Sequence, residues 1–268
     1  MKIFNIQLDN LKYIDFFKRI TRFEKQEIVF TPNPEILLKT LTDTEFAWFL
    51  NKATILTPDG IWLYIAYQML EDNSSFIRTL KIPIYFYHLF FNKHKLYEKY
   101  WERICGSDIT KDLLFYCESE KVSITIIDLY NPNDEGKVAS QKIFSERLSS
   151  VFPELIFDYI IYNPEKKSEI LEQIKSSDSK IVFSTLGMKK QEESVIEIME
   201  YCQNIKLWLW IGSSFDYFTG FQKRSPKIFS DLGLEWFYRI VTWPQKIKRI
   251  KRIYNAIIIF LVQVIKQK

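Results

Sequence analysis

Apolar runs of strand length alternate with segments of helical period along nearly the whole chain. Short continuous apolar runs predict strands at residues 3–6, 27–30, 54–56, 123–127, 156–161, 180–183 and 207–211, because strands buried on both faces lose the polar alternation of a half-exposed sheet. Helices are expected to fill the gaps. Pro34 suits a first helical turn continuing through Glu35 and Leu38, and Val138, Ile143, Phe144 and Leu148 share one face of a helix after Gly136. Strand and helix in alternation imply right-handed βαβ units. The expected fold is α/β, a Rossmann-like, mostly parallel sheet flanked by helices over residues 1–235, followed by a C-terminal basic amphipathic helical appendage at 236–268.

Several of the strand-like runs end in a polar turn that carries a glycine. The chain has only seven glycines in 268 residues, where average usage would supply about nineteen. Four stand in such turns: Gly60 in Thr57-Pro58-Asp59-Gly60, Gly106 in Gly106-Ser107-Asp108, Gly187 before Met188-Lys189-Lys190-Gln191-Glu192, and Gly212 before Ser213-Ser214-Phe215-Asp216. In α/β folds the carboxyl ends of parallel strands form the ligand crevice, so these turns are the candidate binding loops.

Two segments break the alternation. Residues 80–102 carry eight aromatic residues among Lys93, Lys95 and Lys99, and contain both histidines, His88 and His94. They read as a packed helical excursion, with contact to a membrane surface as the alternative. The second break follows Trp243-Pro244, where Lys246, Lys248, Arg249, Lys251 and Arg252 precede an apolar stretch at 253–265. On a helix, Ile247, Ile250, Tyr254, Ile257, Leu261 and Val264 line one face. The apolar part is about 20 Å long, short of the roughly 20 residues that span a bilayer. An interfacial helix on an anionic membrane surface is the first reading, docking on the body the second, and a span the last.

Charge and cysteine content narrow the classes. No acidic residue follows Glu235, while eight lysines and arginines do, so the tail is electrostatically distinct from the net acidic remainder. Its apolar half lacks the spread of cations needed to track a phosphate backbone, so a nucleic-acid partner is not expected. Cys105, Cys117 and Cys202 form neither a disulfide framework nor a metal-binding pair, which suits a reducing, cytoplasmic setting. The first ten residues carry Asp9 and no unbroken apolar core, so no signal peptide is expected.

Two histidines, both in one segment, leave little room for a Ser-His-Asp triad or a multi-histidine zinc site. No Asp-x-Asp pair occurs, and neither a Gly-x-Gly-x-x-Gly fingerprint nor a P-loop is present. Dinucleotide dehydrogenases and phosphate-loop ATPases therefore fall away, and no cofactor or metal is expected. Carboxylates must carry the acid–base chemistry. Asp59, set by Pro58 at the end of a short strand, is the candidate general base; the competing reading is a helix N-cap. Thr31 and Asn33 in Thr31-Pro32-Asn33-Pro34 are turn formers or ligand groups.

In their order, these segments resemble the WecG/TagA/CpsF family of bacterial glycosyltransferases. The resemblance runs from about Glu27 to the basic tail. It rests on Thr31-Pro32-Asn33-Pro34-Glu35, Pro58-Asp59-Gly60, Gly106-Ser107-Asp108, Gly187 with Lys190-Gln191-Glu192, Phe215-Asp216 with Gly220, Arg224 with Pro226, and Gly233-Leu234-Glu235-Trp236 with Tyr238-Arg239. It implies a metal-independent, inverting transfer of a hexose-type sugar from a UDP donor to a polyprenyl-diphosphate-linked sugar, at the cytoplasmic membrane face, in cell-surface polysaccharide assembly. Asp59 corresponds to the catalytic base. Thr31, Asn33, Gly60, Gly106, Asp108, Gly187, Gln191, Glu192, Arg224 and Arg239 are the expected substrate-binding positions. Arg239 and the cations Lys246, Lys248, Arg249, Lys251 and Arg252 would meet the lipid diphosphate and the membrane. Trp62 stands where the family usually has a second glycine after the Asp-Gly pair, and residues 80–102 look longer than the family's usual connection. A non-catalytic, membrane-associated binding protein that kept the fold is the rival reading.

Overall fold

The computed structural model describes residues 2–92, 96, 98–100, 102, 104–129, 137–186, 198–199, 201–220, 223–226, 229, 235–242, 250 and 253–267. Six strands form one parallel sheet: β3 (Glu27–Phe30), β4 (Ile55–Leu56), β5 (Ile124–Leu129), β6 (Phe157–Tyr162), β7 (Ile181–Ser184) and β8 (Leu207–Trp210). Their spatial order is β4-β3-β8-β7-β5-β6. Each is within a few residues of the run that predicted it. The first expected strand is instead a small antiparallel hairpin, β1 (Lys2–Ile3) with β2 (Ile6–Gln7). Phe4 and Asn5 both take positive φ between them, the backbone a two-residue primed hairpin turn demands. Four apolar-rich residues thus make a turn because Asn5 tolerates the left-handed region.

Alternate side chains of the strands enter two separate cores. Val29, Ile55, Ile124, Ile126, Ile181, Phe183, Leu207 and Leu209 point to one face, with Phe16 and Ile20 of α1 (Tyr13–Thr21), Ile109 and Leu113 of a long helix at 106–119, and Phe144 and Leu148. Phe30, Leu56, Ile127, Val182, Trp208 and Trp210 point to the other, with Leu37 of α2 (Pro34–Lys39), Phe46 and Phe49 of α3 (Thr44–Leu50) and seven successive buried residues of α4 (Trp62–Glu71). The helix that carries Leu37 starts at Pro34, as expected. On that second face Phe30 stacks on Trp210 at 4.2 Å, and Phe49 meets Trp210 edge-on. The outer layer continues with α5 (Ser75–Leu80) and α6 (Ile82–Phe91). The other numbered helices are α7 (Gly106–Ser119), α8 (Lys137–Val151), α9 (Lys167–Ser176), α10 (Glu235–Thr242) and α11 (Phe260–Lys266).

The apolar C-terminal segment packs on the body. Ile257, Phe260, Leu261 and Val264 are buried in the second core, and Phe4 meets Phe260 edge-on at 5.6 Å. Arg78, itself buried, donates to the carbonyls of Val264 at 3.0 Å, Ile265 at 3.2 Å and Gln267 at 2.5 Å. A cation at the end of a helix stabilises its unpaired carbonyls. Of the face read from the sequence, Ile257, Leu261 and Val264 turn inward, whereas Ile250 and Tyr254 are exposed.

At the amino edge of the sheet, Glu27 is buried and clamped by Arg19, whose Nε and Nη2 donate to its two oxygens at 2.9 and 3.0 Å; the Thr54 hydroxyl donates to the same carboxylate. Burial alone would raise this carboxyl, but the bonds from Arg19 and Thr54 outweigh it and keep it below its ordinary range. A depressed folded-state carboxyl contributes stability above about pH 4, lost as pH falls through the folded value. Arg19→Ala strands a buried charge and is expected to cost about 3 kcal/mol in urea unfolding at neutral pH. The deficit should shrink in acid as Glu27 protonates; a loss that does not change with pH would refute the role of the pair.

Candidate functional site

The loops leaving β3 and β4 are tied to each other. The Thr57 N–H donates to Phe30 O at 3.0 Å, and the Asp59 N–H donates to Pro32 O at 3.0 Å. Between these bonds lies Pro58, which fixes the backbone into Asp59. The Asn33 side chain accepts from the Ile36 N–H at 3.0 Å and caps α2. Its oxygen therefore acts as a turn former, and the carboxamide nitrogen is not used by the cap. Gly60 has φ +116°, and a Cβ there would lie 3.6 Å from Pro34 Cδ, so the Asp59 loop closes against the first turn of α2. The helix α4 begins at Trp62, three residues beyond Asp59, and its cap position Ile61 makes no side-chain cap bond.

The N-terminus of α7 arrives at the same edge. A Cβ added to Gly106 would lie 3.4 Å from Thr31 Oγ1, 3.6 Å from Ser214 Oγ and 3.9 Å from Ile211 Cα. The end of β3, the end of β8 and the start of a fourteen-residue helix thus meet at one point. Strands β3 and β8 are neighbours in the sheet but remote in sequence, and β3 runs on to β4 on its far side. That is the topological switch point at which open α/β sheets bind ligands. The first amides of α7 have no intrahelical acceptor and sit at the positive end of its dipole. Asp108 in the first turn forms an ion pair with Arg224, so two of the predicted binding residues are brought together beside Gly106. Gly212, at φ +51°, permits the turn out of β8.

Further along the carboxyl edge are two carboxylates that sequence reasoning had not given a role. Asp128, near the end of β5, accepts from the Tyr159 hydroxyl at 2.6 Å and the Thr185 hydroxyl at 2.8 Å. Asp216 lies in the short helical turn after β8. Burial, reinforced by the Asp128 charge, pushes its carboxyl up to about 6. Burial, then the Asp128 bond, also raises the Tyr159 hydroxyl. The available signals were a lone acid in the apolar run Ile124–Leu129 and the Phe215-Asp216 pair. The hydroxyls of Thr57 and Ser184, at the ends of β4 and β7, are buried with no hydrogen-bond partner among the described residues.

Thr31, Asn33, Asp59, Gly60 and Gly106 therefore come together at one carboxyl edge, with Asp108 and Arg224 on its α7 side. Arg239 is on α10, whose first residue Glu235 accepts from the Ser225 hydroxyl next to Arg224. Gly187, Gln191, Glu192 and the cations Lys246, Lys248, Arg249, Lys251 and Arg252 lie outside the described residues. Among the described residues no group of three or more His, Cys, Asp or Glu could hold a metal ion, and no helix is long and apolar enough to cross a membrane.

A raised carboxyl favours the folded state most when protonated, so the Asp216 contribution declines as pH rises from about 4 to about 6. Asp216→Asn removes that decline. Its melting temperature relative to the parent is expected to be higher above pH 7 than below pH 4, and a pH-independent difference would show that Asp216 is an ordinary surface carboxylate.

The family model described as "Glycosyl transferase WecG/TagA/CpsF family" matches residues 1–79 and 88–268. Residues 80–87 fall outside the match and inside the segment that sequence reading set apart as an insertion. A crevice at the β3/β8 switch point and a family match over nearly the whole chain agree: this protein belongs to the WecG/TagA/CpsF family of glycosyltransferases.

Proposed function

We propose that the protein is an inverting, metal-independent glycosyltransferase that moves a hexose or N-acetylhexosamine from a UDP donor to a polyprenyl-diphosphate-linked sugar at the cytoplasmic membrane face. The observation that carries the reading is the meeting of Asp59's loop with the start of α7 at the carboxyl edge of β3 and β8. Asp59 is half-buried and backed by Pro32 through its own N–H. A carboxylate there accepts the proton of the acceptor hydroxyl as that oxygen attacks the anomeric carbon. One carbon–oxygen bond forms while the bond to the UDP oxygen breaks. The leaving diphosphate takes up the electron pair. Attack from the face opposite the leaving group inverts the anomeric centre.

The charge that develops on the departing diphosphate needs preorganised donors. The first amides of α7 and the Arg224 guanidinium, held by Asp108, would supply them without a metal ion. Burial lowers and the Asp108 bond raises the guanidinium's proton affinity, with the bond prevailing. The hydroxyl of Thr31 and the carboxamide nitrogen of Asn33 are suited to the hydroxyls of the transferred sugar. The cation-rich segment 246–252 suits an acceptor that is both anionic and lipid-borne, at about 1 kcal/mol for each lysine or arginine near an anionic surface.

With purified protein, a panel of UDP-sugars and a short-chain polyprenyl-diphosphate N-acetylglucosamine, acceptor-dependent release of UDP is expected. Asp59→Asn should lower it by about 10²- to 10⁴-fold while UDP affinity and melting temperature stay close to the parent values; a fully active Asp59→Asn protein would remove Asp59 from the mechanism. For the tail, replacing Lys246, Lys248, Arg249, Lys251 and Arg252 by Gln is a cleaner change than truncation, because truncation would uncover the core around Phe260. The substituted protein should lose co-sedimentation with anionic vesicles, and undiminished binding would rule out the electrostatic role of the segment.

A further inference from the structure

Helix α4 is buried beneath two other helices. α6 and α11 both pack on it, and α5 packs against both of these. The layer is locked by polar contacts on its inner side. Arg78 donates to Asp72 O as well as to the end of α11. Lys81 and the Tyr85 hydroxyl both engage the Asp72 carboxylate, and His88 meets Gln68. Trp62, two residues beyond Gly60, meets Phe86 of α6 edge-on at 5.9 Å. The helix that follows the Asp59 loop therefore rests directly on α6.

The outward side of the same layer is apolar. Phe76 and Leu80 of α5 are 70 % and 63 % exposed, and Phe91 of α6 is 75 % exposed, with Tyr87 and Ile84 half-exposed one and two turns before it. Tyr254, Ile258 and Val262 form a further exposed apolar stripe on the C-terminal segment. Exposed apolar patches of this density on a folded domain mark an interaction surface. On the opposite side of the sheet, Ile14 of α1 stands out alone in its helix.

Charge selects the occupant. From residue 73 to residue 97 the chain has no Asp or Glu, but it has Arg78, Lys81, Lys93 and Lys95; from 236 to 268 it again has no acid. Arg78 and Lys81 are engaged within the layer, by backbone carbonyls and by Asp72, and Lys93 and Lys95 lie outside the described residues. An aromatic, apolar segment whose only charged residues are cationic complements an anionic lipid surface. A second copy would instead set two segments of the same charge against each other. At ten residues, α6 is about 15 Å long, half a bilayer core, so it lies in the interface plane. Residues 80–87, which include Leu80, Ile84 and Tyr87, fall outside the family match.

We propose that the outward face of α5 and α6, centred on Phe76, Leu80, Ile84, Tyr87 and Phe91, seats in the headgroup region of an anionic bilayer and forms a second membrane contact in addition to the one proposed for the basic segment 246–252. Its purpose rests on the lipid-borne acceptor proposed above. Two separated contacts fix orientation as well as affinity, and through Trp62 and Phe86 this one sets the Asp59 crevice relative to the lipid surface.

The test uses the full chain and vesicles of phosphatidylcholine with and without phosphatidylglycerol. Replacing Leu80, Ile84 and Phe91 together by Ser should weaken binding to the anionic vesicles by about tenfold or more. UDP release with a water-soluble acceptor should be unchanged, whereas Ile14→Ser should bind as the parent does. Because the three native cysteines are buried, a Phe91→Cys protein takes an environment-sensitive fluorophore at that site alone, and its emission should shift to the blue on anionic vesicles. Parental vesicle binding by the triple variant, or a label at residue 91 that does not respond to vesicles, overturns the proposal. So does a dimer, seen by light scattering, that the triple substitution splits without loss of vesicle binding. Blue-shifted vesicle binding without UDP release under any condition would remove the transferase reading and leave the membrane contact standing.

Discussion

Strand β3 is hydrogen-bonded to β8 in parallel, Glu27 against Leu207 through Phe30 against Trp210, and this pairing joins the early and late parts of the chain. Without it Thr31 and Asn33 would have no fixed relation to Ser214 and Asp216. The register is enforced from both faces: Val29 and Leu209 enter one core, Phe30 and Trp210 stack in the other. A shift by one residue would exchange the faces of every side chain in the strand. With the strands parallel, all their carboxyl ends emerge on one edge. Among the described residues, Thr31, Asn33, Asp59, Gly106, Asp128 and Asp216 are gathered there, while the paired charges of Glu27 and Arg19 sit at the other end.

The parts legible in the sequence were those set by local chemistry. Continuous apolar runs located all six strands of the main sheet, Pro34 located the start of α2, and Thr-Pro-Asn-Pro and Pro-Asp-Gly located two loops that the structure ties together through Asp59 N–H and Pro32 O. The less legible parts depend on which strands become neighbours. Nothing local to Asp128 announces that Asp216, far along the chain, will raise its own proton affinity against it. Likewise, no spacing rule brings Thr31 to Gly106. The hairpin at residues 2–7 escaped because its turn uses positive φ at Phe4 as well as Asn5, and a phenylalanine gives no warning of that.

The C-terminal segment shows why amphipathic patterns leave two outcomes open. The same helix has an inward stripe, Ile257, Leu261 and Val264, and an outward one, Tyr254, Ile258 and Val262. A moment computed from residue types cannot say which stripe meets protein and which meets something else. Arg78 decides it, since its guanidinium reaches the last carbonyls of α11 only when the first stripe faces α4. The docked helix then becomes part of the outer layer with α5 and α6.

The central claim is that the donor occupies the crevice at the carboxyl ends of β3 and β8, and hydrogen–deuterium exchange with and without saturating UDP tests it most directly. Slowed exchange is expected at the amides of Thr31, Asn33, Asp59, Gly106, Ser107 and Ser214, with no change near Glu27 and Thr54 at the amino edge. UDP binding that left those amides unprotected, or protected the amino edge instead, would contradict the account.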